Sequence, residues 1–419
     1  MSAEQNFRQV DWLQHKNLQT LLHFLSLGNE EARIVGGAVR NQLLGQPITD
    51  IDIATTCLPQ QVIERVRKSG FKAIPTGIDF GTVTVVIESN SYEVTTLRCD
   101  TETDGRHAKV SFSRDWKKDA ERRDFTINAL YCDAFGKLYD DVGGLKDIAS
   151  KTVRFIGAAE NRIREDYLRI LRFFRFFAWY GAGRPDAQGL KACASLKEGL
   201  QQLSSERIWG EIKKLLSAPD PIRALLWMRQ SGILTLILPE TEKWGIDAIH
   251  SLITTERSFG WITDPLLRLQ SLIPPDPMRL HEMAHRLHLS NKEVIRLKKW
   301  ATLEKIGLDC SENSLKRMIY VHGQQPVLDQ LSLDLAAIYS GFLKQDELFK
   351  KEEYLKNLYQ LAQNWKIPVF PIKGSDLIKK GFFEGRLLGQ KLKELETMWI
   401  ESGFLMDRDA LLKTLEIQG

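Results

Sequence analysis

Strand-forming runs end before Gly157, and that asymmetry limits the fold more than any other feature of the chain. The segments "RIVGG", "DIDIAT", "GTVTVVIE" and "YEVTTLR" are β-branched runs broken by Gly, Asn or Ser. From "ENRIREDYLRILRFFRFFAWYG" onward, apolar residues recur at helical spacing. Gly or Pro interrupts that pattern at "GAGRP", "SAPDP", "LPE" and "IPPDP". An α+β head followed by an all-helical remainder is predicted. With 419 residues, the chain is too long for one ordinary core, so two to four domains are expected.

Composition removes several function classes. The chain is 43% hydrophobic and 27% charged, with a net charge of +4, which permits a polyanionic partner without demanding one. Its five cysteines (Cys57, Cys99, Cys132, Cys193, Cys310) are scattered and include no CxxC. That pattern reads as reduced thiols rather than a disulfide framework or a zinc cluster. "MSAEQNFRQVDWLQHK" has no apolar core of the signal-peptide kind, and no stretch is apolar enough to cross a bilayer. A cytoplasmic protein with no membrane partner is expected.

The chemistry-bearing residues begin with "ITDIDIAT", Ile48 to Thr55. In a strand, side chains at i and i+2 share a face, so Asp50 and Asp52 project together while Ile51 and Ile53 point away. Two bare carboxylates that close repel, and one pKa rises unless a cation sits between them. A hard divalent metal is the simplest such cation. Alone, the pair reads more simply as a solvated strand end. Its neighbours shift that balance.

Just upstream, "RIVGGAVRNQLLGQP" runs from a short strand through Gly36-Gly37 into a helix that Gly45 and Pro47 end. A glycine pair at a strand-to-helix turn lets backbone N–H groups approach a phosphate, and Arg40 lies in the first turn of that helix. GxGxxG and GK[ST] are both absent, so neither a Rossmann nor a Walker loop is indicated. An anion-binding turn, an arginine and a paired-aspartate strand together spell metal-assisted phosphoryl chemistry. Glu93, between Tyr92 and Val94, is a third carboxylate; an exposed strand face accounts for it equally well. In "ERRDFTINAL", Arg123, Asp124 and Asn128 suit triphosphate and ribose contacts, and a salt-bridged helix start is the alternative.

"REDYLRILRFFRF" reads as a helix with Asp166, Arg169, Arg172 and Arg175 at steps of three. A charged face over a core stripe is the plain reading. A sharper one follows from base chemistry. Cytosine and adenine both show an exocyclic amino donor beside a ring-nitrogen acceptor. An aspartate accepting from the amino group and an arginine donating to the ring nitrogen fit both bases. Guanine and uracil invert the order and leave polar groups unpaired.

In this order, the pieces resemble the class II tRNA nucleotidyltransferases (CCA-adding enzymes) and their bacterial poly(A) polymerase relatives, within the DNA polymerase beta-like superfamily. "VGGAVRNQLLG…DIDIAT" is similar to the first family motif, "RRDFTINAL" to the second, "YDDVGGLKDI" to the third and "REDYLRILRFFRF" to the nucleotide-selecting fourth. "DGRHAKVSFSRDW", with Asp104 and Arg106, resembles the flexible loop needed for adding the terminal A. The match covers roughly residues 30 to 180.

The resemblance implies a nucleotidyltransferase head with a mixed sheet over residues 1–156, a helical neck over 157–235, a body over 236–330 and a tRNA-binding tail over 331–419. It implies that Asp50 and Asp52 bind catalytic Mg²⁺. It further implies that Gly36, Gly37, Arg40 and Arg123 hold nucleotide phosphates or ribose. Asp166 and Arg169 would read the base, with Arg172 and Arg175 lining the pocket. The implied partners are the tRNA 3′ end, ATP and CTP, with no DNA. Two departures stand out: Asn41 replaces the usual aspartate after the arginine, and Phe80 stands before Gly81 where many relatives carry histidine.

Several rivals compete with CCA addition. One is poly(A) polymerase, whose relatives carry a "GRRF…HV" segment where this chain has "TGIDFGTVTVV". An A-only enzyme is another, and a non-catalytic RNA-binding protein with a degenerate head is a third. "HEMAH", His281 to His285, fits the H-E-x-x-H pattern of zinc proteases but lacks a suitably spaced third ligand. The basic run of Arg286, Lys292, Arg296, Lys298 and Lys299 is the best candidate for phosphate contacts outside the head, and a solvated helix face competes with that reading.

Overall fold

The computed structural model describes residues 7–104, 107–242, 246–307, 309–340 and 345–415. The chain divides into two compact units, Met1–Ile237 and Leu238–Gly419.

The first unit starts with α1 (Lys16–Leu25), whose Leu18, Leu21, Leu22 and Leu25 form a fully buried stripe. Next come β1 (Ala32–Val35), α2 (Gly37–Leu43), β2 (Asp52–Thr55), α3 (Pro59–Lys68), β3 (Lys72–Gly77), β4 (Thr82–Ile87) and β5 (Asn90–Thr96). A hairpin of β6 (Arg98–Asp104) and β7 (His107–Phe112) stands apart from the main sheet. The head then closes with α4 (Trp116–Glu121), β8 (Leu130–Cys132), β9 (Leu138–Asp140) and α5 (Gly144–Ala149). The four strand signals read from the sequence correspond to β1, β2, β4 and β5.

The main sheet has seven strands in the order β3-β4-β5-β2-β1-β8-β9. It is mixed, because β2 and β5 run parallel while the other pairs are antiparallel. Alternation sets its two faces. Val83, Val85 and Ile87 of β4 are buried, as are Tyr92, Val94 and Thr96 of β5. α3 packs against β3, β4 and β5. Glu93, out of step with that buried set, projects from the opposite face. One row across the sheet places Val35 beside Asp52, Asp52 beside Glu93, and Val35 beside Tyr131.

Beyond the sheet the first unit is helical: α6 (Ala159–Glu165), α7 (Leu168–Tyr180), α8 (Ala187–Ser195), α9 (Ser205–Leu216), α10 (Ile222–Gln230) and α11 (Ile233–Ile237). α7 is fixed by aromatics. Phe173 stacks on Phe155 at 5.4 Å, and Phe176 lies 5.2 Å from Phe125. Each buried phenylalanine contributes roughly 1.5–3 kcal/mol. With its apolar stripe anchored, α7 presents Arg169, Arg172 and Arg175 on the less buried side.

The second unit is all helix among its described residues. It comprises α12 (Asp247–Phe259), α13 (Pro265–Gln270), α14 (Pro277–Arg286), α15 (Asn291–Ala301), α16 (Glu312–His322), α17 (Gln324–Ser340), α18 (Gln345–Asn364), α19 (Gly374–Lys379), α20 (Arg386–Glu401) and α21 (Arg408–Lys413). One core gathers Leu315, Ile319, Leu331, Leu335 and Leu358; another gathers Leu377, Leu395, Trp399 and Leu411. Arg268 and Glu256, both almost wholly buried, pair at 2.6 Å. None of the described helices is long and apolar enough to cross a membrane.

Candidate active site

The end of β1 and the start of β2 meet at one edge of a cavity of about 670 Å³. Gly36 has φ +70, a left-handed conformation that favours glycine. A Cβ there would lie 3.4 Å from the Asn128 carbonyl oxygen and 3.9 Å from Nη1 of Arg123. Gly36 and Gly37 thus leave the cavity floor open beside the arginines. Lining the same cavity are Arg40, Asp50, Asp52, Arg123, Asp124, Asn128, Asp166, Arg169, Arg172 and Arg175.

The paired aspartates differ slightly from the sequence expectation. β2 begins at Asp52, so Asp50 lies in the extended segment before the strand, where it accepts a 2.9 Å hydrogen bond from Thr49. Asp52 faces the cavity, yet burial pushes its carboxyl above the usual range. Glu93 and Asp50 push it further, against a partial pull from Arg123. Carboxylates crowded in this way favour a bound cation. Among the described residues, no three carboxylate, imidazole or thiol side chains converge as a ready-made metal cage. A two-carboxylate site suits a cation that keeps waters and shares substrate phosphates, as Mg²⁺ does. Glu93 neighbours Asp52 across the sheet without lining the cavity.

Arg40 is 7% exposed, and its side-chain partners are neutral. It donates to Asn128 Oδ1, to Asn41 Oδ1 at 2.9 and 3.1 Å, and to the Tyr180 hydroxyl at 2.8 Å. A buried guanidinium with no carboxylate among these partners is a place for an anion. Asn41 also donates to the Pro47 carbonyl at 2.7 Å, a bond that a carboxylate could not donate. Asn128 in turn donates to Asp124 at 3.1 Å, and Asp124 accepts from Arg172 at 2.8 Å. Burial works against the Asp124 carboxylate, but Arg172, Asn128 and the Phe125 N–H hold it below the usual range.

Arg123 is held by Asp119 at 3.1 Å, as is Arg122 at 2.6 Å, and the Tyr131 hydroxyl donates to Asp119 at 2.8 Å. Asp119 is only 1% exposed. Its i, i+3 and i, i+4 spacing to the two arginines was a readable signal in the sequence. Tyr180, Glu211, Arg207 and Lys214 carried no such signal, because their places in the site come from packing. Arg175 donates to Glu211 at 2.6 Å. Asp166 and Arg169 line the cavity without pairing with each other. Asp166 accepts from Arg207 at 2.7 Å, and Arg169 donates to Glu165 at 2.5 Å.

Other expectations fall elsewhere. "YDDVGGLKDI" contributes no group to the cavity. Its Asp140 instead accepts from the backbone N–H groups of Val142, Gly143, Gly144 and Leu145, fixing the start of α5. Asp104 pairs through its backbone with His107 at the end of the β6–β7 hairpin, and Arg106 lies outside the described residues. Phe80 sits exposed in a short turn before Gly81. In "HEMAH", His281, Glu282 and His285 lie on the exposed side of α14, while Met283 and Ala284 are buried. The zinc-protease reading is therefore replaced by an amphipathic packing helix. Two cations of the basic run are also reassigned: Arg286 pairs with Glu240 at 2.8 Å, and Arg296 pairs with Asp264 and Asp329 at 2.6 Å.

Comparison with known proteins agrees with this geometry. Residues 32–154 match the poly A polymerase head domain family, and residues 185–244 match the family described as the probable RNA and SrmB-binding site of polymerase A. The mitochondrial CCA tRNA nucleotidyltransferase 1 of Mus musculus is 34% identical over 414 residues, covering 96% of this chain and 90% of that protein. The CCA-adding enzyme of Staphylococcus epidermidis is 29% identical over 399 residues, covering 92% and 94%. The crystal structure of the Bacillus stearothermophilus CCA-adding enzyme in complex with CTP superposes with a TM-score of 0.68 at 25% identity, over 96% of this chain and 97% of that one. With a relative of this identity matched along nearly its whole length, the chain belongs to the class II CCA tRNA nucleotidyltransferase family.

Proposed function

We propose that the chain adds C, C and A to the 3′ end of tRNA from CTP and ATP, without a nucleic-acid template. The observation that carries this reading is the cavity itself. Two aspartates stand at the edge of a pocket walled by seven arginines and Lys214. Such a wall suits a nucleoside triphosphate, and such an edge suits its metal.

In the reaction, the tRNA 3′-hydroxyl attacks the α-phosphorus of the nucleotide, one phosphodiester bond forms, and pyrophosphate leaves. Asp50 and Asp52 would hold Mg²⁺, which when bound would supply positive charge to the attacking and leaving oxygens. The remaining work belongs to side chains of this chain. Glu93 beside Asp52 deepens the negative potential that draws the cation. The opening at Gly36 and Gly37 admits the triphosphate against Arg40 and Arg123. Asn128 and Asp124 hold Arg40 and Arg172 in place. Asp166 and Arg169 read the base edge, accepting from the amino group and donating to the ring nitrogen, a pattern that cytosine and adenine share. We assign residues 104–116, with Asp104 and Arg106, to the switch toward the terminal A. Residues 1–156 serve as head and 157–235 as neck; 236–330 and 331–419, expected as separate body and tail, share the continuous helix α17 and the core of Leu315, Leu331 and Leu358, so the boundary at 330 is withdrawn and the helical parts together hold the tRNA. A cytoplasmic location is part of the proposal, supported by five cysteines that are all unpaired.

The test is to sequence products formed on tRNA ending at its discriminator base, on tRNA ending after CC, and on unrelated RNA, with CTP, ATP and Mg²⁺. Ordered C, C, A followed by a stop is expected on the first substrate. A long A tract on any RNA, or incorporation only of A after CC, overturns the proposal in favour of the rival enzymes.

A further inference from the structure

A cation stands where helix energetics disfavours it. Arg207 occupies the first turn of α9, third after Ser204, which is the position where a capping box places Glu or Gln. The helix dipole is unfavourable to positive charge there. The reason for the breach lies across the cavity. Arg207 Nη2 donates to Asp166 Oδ2 at 2.7 Å, while Asp166 Oδ1 accepts from the Leu168 N–H at 3.1 Å. Both oxygens of Asp166 are thereby oriented, one by its own backbone and one from a helix about forty residues away.

Arg169 takes no part in this. It is held by Glu165 at 2.5 Å and by the carbonyls of Arg162 and Arg122 at 2.9 and 3.3 Å. The two members of the base-reading pair are therefore positioned independently. We infer that Arg207 is a specificity-determining positioning residue, holding the Asp166 carboxylate as a fixed acceptor at the base edge. The inference rests on the base-reading role of Asp166 proposed above.

The physical consequence concerns the wrong bases. A carboxylate free to rotate can turn away from the carbonyl of uracil or guanine, which relieves the repulsion that rejects them. One tied at Oδ2 by Arg207 and at Oδ1 by Leu168 has no such escape. Each Asp166 oxygen keeps a second lone pair for the amino group of cytosine or adenine. Arg207 lines the cavity and is 40% exposed as a side chain, so its replacement does not leave a buried charge.

Incorporation of UTP relative to CTP, and of GTP relative to ATP, is measured under single-nucleotide conditions for wild type, Arg207→Ala, Arg207→Lys and Asp166→Ala. Thermal unfolding of each variant serves as the folding control. The expected result is a rise of about tenfold in both misincorporation ratios for Arg207→Ala, the size of one net hydrogen bond. Arg207→Lys, which keeps a donor and the charge, should restore part of the selectivity. If Asp166→Ala blurs selection while Arg207→Ala leaves both ratios unchanged, the positioning role is wrong. If Asp166→Ala itself leaves selection intact, the base-reading assignment falls first and takes this inference with it. A loss of cognate rate without change in either ratio also overturns it, since that would mark Arg207 as purely structural.

Discussion

Asp52, proposed above as a metal ligand, shows how a functional residue can be a liability to the fold that carries it. Its carboxyl is pushed upward by burial, by Glu93 beside it on β5 and by Asp50. A carboxylate whose pKa is higher folded than unfolded binds protons more readily in the folded state. Its contribution to stability is therefore favourable at low pH and turns unfavourable as pH rises through the two pKa values. In the metal-free protein near neutrality, Asp52→Asn should raise the midpoint of thermal unfolding while abolishing nucleotide incorporation. A lowered midpoint would show that the repulsion is already relieved. The same repulsion has a direct readout in the titration of Asp52 itself. In the metal-free protein, Glu93→Gln should move the Asp52 titration, followed by NMR of its carboxyl carbon, downward by removing one repelling charge. An Asp52 titration that Glu93→Gln moves upward would contradict the arrangement.

At the scale of elements, the third sequence motif buttresses the second. Asp140 fixes the start of α5, and α5 packs against the Thr126–Asn128 turn, where Thr126 Oγ donates to Asp147 at 2.6 Å. A Cβ on Gly144 would sit 2.4 Å from the Thr126 carbonyl oxygen. Gly144→Ala must therefore shift the turn that carries Asn128, and through it Arg40. Urea unfolding should show a loss of about 1–3 kcal/mol, with a raised KM for nucleotide. Gly210, inside α9 with open space around its Cβ position, is the counterpart. Gly210→Ala should gain roughly 0.5–1 kcal/mol.

This element also marks the limit of what the sequence could reveal. Asp52 and the arginine ladder of α7 were legible because strand and helix periodicity place them, and the glycine turn because of its residue type; Asp50 was read onto the strand but lies before it, although it lines the same cavity. The division into a sheet-bearing head and a helical remainder was legible for the same reason. Asp140 was visible only as part of a resemblance. Its work as a backbone cap depends on a turn geometry that no spacing rule announces. Arg207 and Glu211 were invisible, because only the packing of α9 beside α7 brings Arg207 to the cavity and Glu211 against Arg175.

For the whole molecule, the question is which cations of the second unit are free to meet RNA. A sequence reading treats Arg286, Lys292, Arg296, Lys298 and Lys299 alike. The fold separates them. Arg296 bridges Asp264 and Asp329, and Asp329 is only 1% exposed on its side chain. Arg286 pairs with Glu240, itself buried. Lys292, Lys298 and Lys299 remain exposed on α15. Removing a partner of a buried pair leaves a stranded charge, so Arg296→Ala should cost about 3 kcal/mol in urea unfolding. The lysines should behave oppositely. Lys298→Ala with Lys299→Ala should leave the unfolding midpoint nearly unmoved and lower the slope of log affinity for tRNA against log salt. Every phosphate that a lysine no longer neutralises should take about one unit from that slope. An unchanged slope would show that α15 is a solvated face and that the tRNA lies elsewhere on the helical unit. A slope reduced by Arg296→Ala in a protein that remains fully folded would show that its carboxylate partners release it to RNA.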